Sequence, residues 1–227
     1  MEKVPPHNTF SQYNKIGKAY IEKQREFSKG GENPVQNYFN SVIQPVIKGG
    51  VLLDVGCGSG DELEMYKELG ASSVIGIEPS AEMRSAAPEY SDETIHIIDG
   101  TFDKIPVPDD SVDVVTARYA LHIIADFLPA FREVARILKP DGIFIISVSH
   151  PDFDKHIATR HGKEVGDIVS LKLFGGSVTL ENATHTMSEY TDEGSIPYFK
   201  VVDSQSYAFN KTNDILLTDL VVVYQKV

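Results

Sequence analysis

Basic residues are in short supply: 21 Lys and Arg stand against 33 Asp and Glu, giving a formal net charge of -12 and a pI near 5.0. Phosphate backbones and anionic lipid surfaces are held by clustered cations, so DNA, RNA and anionic membranes are not expected partners. Cysteine is nearly absent. The single Cys57 closes no internal disulfide, which fits a reducing compartment, and its position among glycines reads as packing rather than as a nucleophile. No apolar stretch is long enough to span a bilayer, and the start, Met1-Glu2-Lys3-Val4-Pro5-Pro6-His7, lacks the apolar core of a secretory signal. A soluble, cytoplasmic protein is expected. Asn182-Ala183-Thr184 and Asn210-Lys211-Thr212 match the glycosylation sequon, which without a signal reads as coincidence. Also missing is the G-x-G-x-x-G loop that seats a pyrophosphate on a helix N-terminus in dinucleotide folds.

What stands in its place is Val51-Leu52-Leu53-Asp54-Val55-Gly56-Cys57-Gly58-Ser59-Gly60. An apolar strand here ends on an acid and opens into a loop with glycine at every second position. Glycine lacks the Cβ that holds a ligand off, so the loop is expected to bring bare backbone N–H groups against one. Asp54 would repel a pyrophosphate and attract a cation, which points to a nucleoside cofactor without phosphate.

The 227 residues, 41% of them hydrophobic, suffice for one sizeable core and are expected to form a single domain over 1–227. Tyr13, Tyr20, Phe27, Tyr38 and Phe39, then Val42, Ile43, Val46 and Ile47 at helical spacing, predict a helical N-terminal cap over 1–48. Residues 49–149 alternate strand and helix patterns. Leu63, Tyr66 and Leu69 share a helical face that Gly70 stops, Ser80 caps a short helix that Pro88 ends, and Phe127, Phe131, Val134 and Leu138 form a stripe closing at Pro140-Asp141-Gly142. The continuously apolar Ile143–Val148 run follows, as in a strand covered on both faces. This alternation predicts an α/β fold, a doubly wound, mainly parallel sheet with helices on both faces. From 150 to 197 the period fades, as in a lid or insertion. Strands are expected again over 198–227, at Phe199–Val202 and Leu216–Tyr224, with Asn210–Asn213 turning between them.

The glycine loop resembles the first motif of the class I methyltransferases that use S-adenosylmethionine. Val74-Ile75-Gly76-Ile77-Glu78-Pro79-Ser80 is similar to that family's second strand, Ile97-Ile98-Asp99-Gly100 to the end of its third, Ile105-Pro106 through Asp113-Val114-Val115 to its fourth, and Arg136 to Ile146 to its fifth. The resemblance covers about the middle half of the chain. It implies a seven-stranded sheet and S-adenosyl-L-methionine as cofactor. Glu78 would accept both ribose hydroxyls, one on each carboxylate oxygen, and Asp99 with Gly100 would read adenine. Further cofactor contacts are implied for Asp54, Gly56, Cys57, Gly58 and Gly60, for Pro79 and Met83, for Thr101, for Ala117 and for Tyr20. The family's Gly-Phe pair before the sixth strand is absent.

The resemblance implies methyl transfer to an acceptor, expected from the acidic charge and the lid to be a small molecule; the acceptor atom, O, N or C, stays open, as does monomer against homodimer. In-line displacement asks the protein mainly to align the acceptor and exclude water. A general base helps where the acceptor carries a proton, and His122 and His150 both follow strands that point at the binding edge. His122 reads as scaffold and His150 as the base. The segment His150-Pro151-Asp152-Phe153-Asp154-Lys155-His156 holds metal-ligand chemistries, but its spacing matches no metal motif, and no metal is expected. Competing readings are a non-catalytic binder of the cofactor or regulatory protein, and a nicotinamide-dependent oxidoreductase, which Asp54 and the missing glycine pattern disfavour.

Overall fold

A computed structural model describes residues 11–28, 33–90, 92–208 and 218–227. The expected turn at Asn210–Asn213, the second sequon and the start of the last predicted strand lie outside them. Seven strands form one sheet in the order β3-β2-β1-β4-β5-β9-β8. They are β1 (Val51–Val55), β2 (Ser73–Ile77), β3 (Ile95–Ile98), β4 (Val112–Arg118), β5 (Leu138–Ser149), β8 (Phe199–Tyr207) and β9 (Asp219–Lys226). The first five pair in parallel, β9 runs antiparallel to β5, and β8 is antiparallel to β9. The chain order reverses at β1, which lies between β2 and β4. The switch-point crevice of an open α/β sheet therefore opens past the carboxyl ends of β1 and β4.

Period-two alternation distributes the apolar strand residues between two cores. Leu53 and Val55, Phe144, Ile146 and Val148, and Leu220, Val222 and Tyr224 bury on one face with Phe131 and Val134 of helix α5 (Leu128–Ile137). Leu52, Ile145, Val221 and Val223 bury on the other, with Val35, Phe39, Ile43 and Ile47 of α2 (Pro34–Ile47). That α2 stripe recurs every fourth residue, and the helix starts where the Asn33 side chain accepts the Gln36 amide. Ahead of it α1 (Tyr13–Ser28) completes the cap. α3 (Leu63–Glu68) buries Leu63 and Tyr66 and stops before Gly70, and α4 (Ala81–Ser85) starts where Ser80 Oγ accepts the Met83 amide.

The region expected to be irregular is more ordered than its sequence pattern. It holds α6 (Pro151–Arg160), a separate antiparallel hairpin of β6 (Ile168–Leu173) and β7 (Val178–Ala183), and α7 (Met187–Thr191). Sequence reading missed α6 because its N-cap is a histidine, outside the Ser, Thr, Asp and Asn set that marks a helix start. Among the described residues, no helix is long and apolar enough to cross a membrane.

Candidate active site

Asp54 is the next-to-last residue of β1, in register with Gly76 of β2 and Thr116 of β4. Its carboxylate accepts the Thr116 hydroxyl at 2.7 Å. Burial, then the charge of Glu62, push its pKa up to about 7. Past β1 the chain turns through Gly56 and Gly58 at φ of 76° and 59°, which glycine adopts without strain. A Cβ on Gly56 would lie 2.4 Å from that of Ala120.

The loop's hydrogen bonds differ from the expected bare amides. Gly56 and Cys57 donate to the carbonyl of Ile77, at 2.7 and 3.2 Å, and Gly58 donates to Glu78 Oε2 at 3.1 Å. The loop is thus tied to β2 through these three amides, two of them from glycines, and they are engaged within the protein rather than bare toward a ligand. The other Glu78 oxygen accepts the Ser80 amide at 2.8 Å. Each oxygen keeps a second lone pair, the requirement for receiving a vicinal diol. Burial raises the pKa of Glu78 against the lowering effect of the two amides.

These groups line one cavity of about 830 Å³. The sequence-predicted residues it brings together are Tyr20, Asp54, Gly56, Cys57, Gly58, Glu78, Pro79, Met83, Gly100 and Thr101. Gly60, Asp99, Ala117 and His150 lie outside the lining. Gly60 packs beneath the loop, its carbonyl accepting the Tyr90 hydroxyl. Asp99 follows the last residue of β3 and turns outward, with its side chain 74% exposed and paired to Arg84 at 2.9 Å. Ala117 falls on the alternate face of β4 and is fully buried in the core. His150 caps α6: Nδ1 accepts the Asp152 amide at 3.1 Å and Nε2 meets Ser206 Oγ at 3.2 Å. Burial lowers its pKa. This histidine is occupied in holding a helix, and the expected base is not at the cavity. His122 is buried and does not line the cavity, and burial, then His185, lower its pKa to about 3. In the segment weighed for metal, Asp154 accepts the His185 amide; among the described residues no three His, Cys, Asp or Glu side chains are grouped to hold an ion.

Several lining residues carried little sequence signal. Glu62 pairs with Arg118, whose guanidinium also donates to Gln36 and lies 5.5 Å from the centre of the Phe39 ring. The Nε of Arg118 is buried without a hydrogen-bond partner among the described residues. Burial opposes its charge, yet Glu62 and its neighbours raise the pKa above the ordinary arginine value. Phe174, between β6 and β7, meets Tyr20 edge-on at 5.8 Å, and Tyr20 meets Tyr13 at 5.6 Å. Gln12 accepts the Glu181 amide and donates to its carbonyl, so its side chain pairs with β7 as a strand edge would. Cap and hairpin thereby close over one side of the cavity.

Residues 53–146 match the family model described as a methyltransferase domain. The chain is 36% identical over 99 residues to the uncharacterized methyltransferase YcgJ of Bacillus subtilis, covering 42% of this chain and 39% of that protein. It is 33% identical over 115 residues to the demethylmenaquinone methyltransferase of Bacillus licheniformis, covering 48% and 50%. The chain thus matches about half of these relatives' length or less. An S-adenosylmethionine-dependent methyltransferase structure from Mesorhizobium loti superposes with a TM-score of 0.61 at 21% identity, over 82% of this chain and 95% of that one. The methyltransferase domain and its fold imply S-adenosyl-L-methionine as cofactor. The residues present fit it. Glu78 offers two acceptor oxygens to a ribose, Asp54 and its acidic neighbours suit a sulfonium and an amine, and the orphaned Arg118 Nε–H suits a carboxylate.

Proposed function

We propose that this protein transfers the methyl group of S-adenosylmethionine to a small-molecule acceptor in a reducing, aqueous compartment. The observation that carries the reading is the buried Glu78 carboxylate, held by the Gly58 and Ser80 amides in a cavity that Asp54, Asp61 and Glu62 also line. The cofactor supplies a methyl on a sulfonium, a leaving group needing no protein acid. Asp54, Glu62 and Glu78 counter its positive charge, Arg118 holds its carboxylate, and Tyr13 and Tyr20 of the cap shield it from water. The small-molecule assignment is supported by the closure of cap and hairpin over the cavity. It also agrees with the name of the demethylmenaquinone methyltransferase relative. Isothermal calorimetry with S-adenosylhomocysteine tests the binding half: heat of association is expected, and its absence from folded protein removes the reading. Incubation with labelled S-adenosylmethionine and a metabolite mixture tests the transfer half, since a binder without activity yields no methylated product.

A further inference from the structure

Two polar side chains in the cavity are not accounted for by the cofactor. Tyr119 follows β4 directly, and Asp219 opens β9, where it pairs with Ser149 of β5. Both line the cavity, and the Tyr119 hydroxyl donates to Asp219 Oδ1 at 2.7 Å. Thr218 Oγ1 donates to the second Asp219 oxygen at 2.6 Å. Tyr119 holds φ of 49°, a left-handed conformation that is strained for a bulky aromatic side chain. It is nevertheless 36% exposed, while Asp219 is 6% exposed behind it. The phenol therefore presents its lone pair to the cavity, because its proton is committed to Asp219. Ala120 and Ile123 supply apolar wall nearby, and Phe174 adds an aromatic one from the hairpin.

We propose that Tyr119 and Asp219 form the acceptor-side proton relay and that the acceptor presents a hydroxyl on an apolar, phenol-like body. This rests on the methyltransferase reading above. An amine loses its proton to water before attack and needs no relay, whereas a neutral hydroxyl keeps its proton until the new bond forms. In the step, a lone pair of the acceptor oxygen forms the bond to the methyl carbon, and the pair of the broken carbon–sulfur bond stays on sulfur. The acceptor proton passes to Tyr119 Oη as the tyrosine's own proton passes to Asp219 Oδ1. The neutral Asp219 returns that proton to water after product leaves. Tyr119 touches the acceptor and is the catalytic residue; Asp219 acts through it and is a positioning residue.

The pair's titration is set by what faces it. Asp219 is raised above the usual carboxylate range by burial, against the lowering effects of Thr218, Tyr119 and His150. Tyr119 is raised by burial and by Asp219, with Arg118 lowering and Glu62 raising it. Asp219 must be a carboxylate to receive the proton, so turnover should fall as pH drops through its raised pKa.

A matched series of 4-ethylphenol, 4-ethylaniline and 4-ethylthiophenol with labelled S-adenosylmethionine tests the proposal. Wild-type protein is expected to methylate the phenol in preference to the other two probes. Tyr119→Phe should lose about 100-fold or more in kcat, and Asp219→Asn should lose the acid limb of the pH profile. Both should keep the affinity for S-adenosylhomocysteine and their melting temperatures. Calorimetry in the presence of S-adenosylhomocysteine supplies a readout apart from turnover: 4-ethylphenol should bind wild type and bind Tyr119→Phe several-fold more weakly. Methylation of the aniline or thiol in place of the phenol, no methylation of any probe, unchanged kcat in Tyr119→Phe, or an unaltered pH profile in Asp219→Asn each overturns the relay. Failure to bind S-adenosylhomocysteine overturns the methyltransferase reading instead.

Discussion

At the scale of single residues, Glu78 and Asp54 are the acids proposed to hold a charged nucleoside. Replacing Glu78 with Ala should weaken S-adenosylhomocysteine binding by about 1.5–3 kcal/mol, the range for hydrogen bonds to a charged group. Calorimetry measures it, and unchanged affinity would contradict the ribose assignment. Asp54 makes a prediction about pH. Its pKa rises from an ordinary 3.8 to about 7 in the folded protein, so the folded state holds this proton more tightly than the unfolded chain. The resulting stabilisation is present below the unfolded value and is lost as pH rises toward about 7. A cation beside Asp54 favours the carboxylate and reverses the penalty. Melting temperatures of the free protein should fall across that window relative to Asp54→Asn, the fall should be blunted by saturating S-adenosylmethionine, and binding should release protons near neutral pH. The placement of these two acids at the cavity was legible because it follows from position along a strand. Asp99 and His150 were not: whether a strand-end side chain turns toward a cleft, toward Arg84 or onto the start of a helix depends on neighbours far away in sequence.

Among elements, α1 and the β6–β7 hairpin act together through Tyr20–Phe174 and the paired hydrogen bonds of Gln12 with Glu181. Phe174→Ala should weaken retention of a bound ligand by about 0.5–1.5 kcal/mol, the usual value of an aromatic pair beyond its burial. A faster dissociation rate in stopped-flow, with little change in melting temperature, is the expected outcome. The hairpin escaped sequence reading although residues 169–173 and 178–181 alternate around Gly175-Gly176, because the polar, glycine- and histidine-containing stretches on either side hid so local a period. The helices with apolar stripes and ordinary caps, α2 with Asn33 and α4 with Ser80, were readable from their residues.

For the whole molecule, the mainly parallel, doubly wound sheet was legible in the alternation of strand and helix patterns, and its seven strands in the family resemblance. Phe144 illustrates the coupling: fully buried on β5, it packs with Phe131 of α5, Phe199 of β8 and Tyr224 of β9. Phe144→Ala should lower stability by about 3–5 kcal/mol, seen as a shift in the urea midpoint. Cofactor affinity extrapolated to fully folded protein should be nearly unchanged, since Phe144 does not line the cavity.

The sheet order also has a temporal side. β9 sits between β5 and β8 although it follows both in the chain, so β8 has no neighbour to zip onto in this sheet until β9 has emerged from the ribosome. Asp219 begins that strand. A nascent chain can therefore assemble the nucleoside cradle of β1 and β2 well before it owns the group assigned to accept a proton, and chemistry waits for β9.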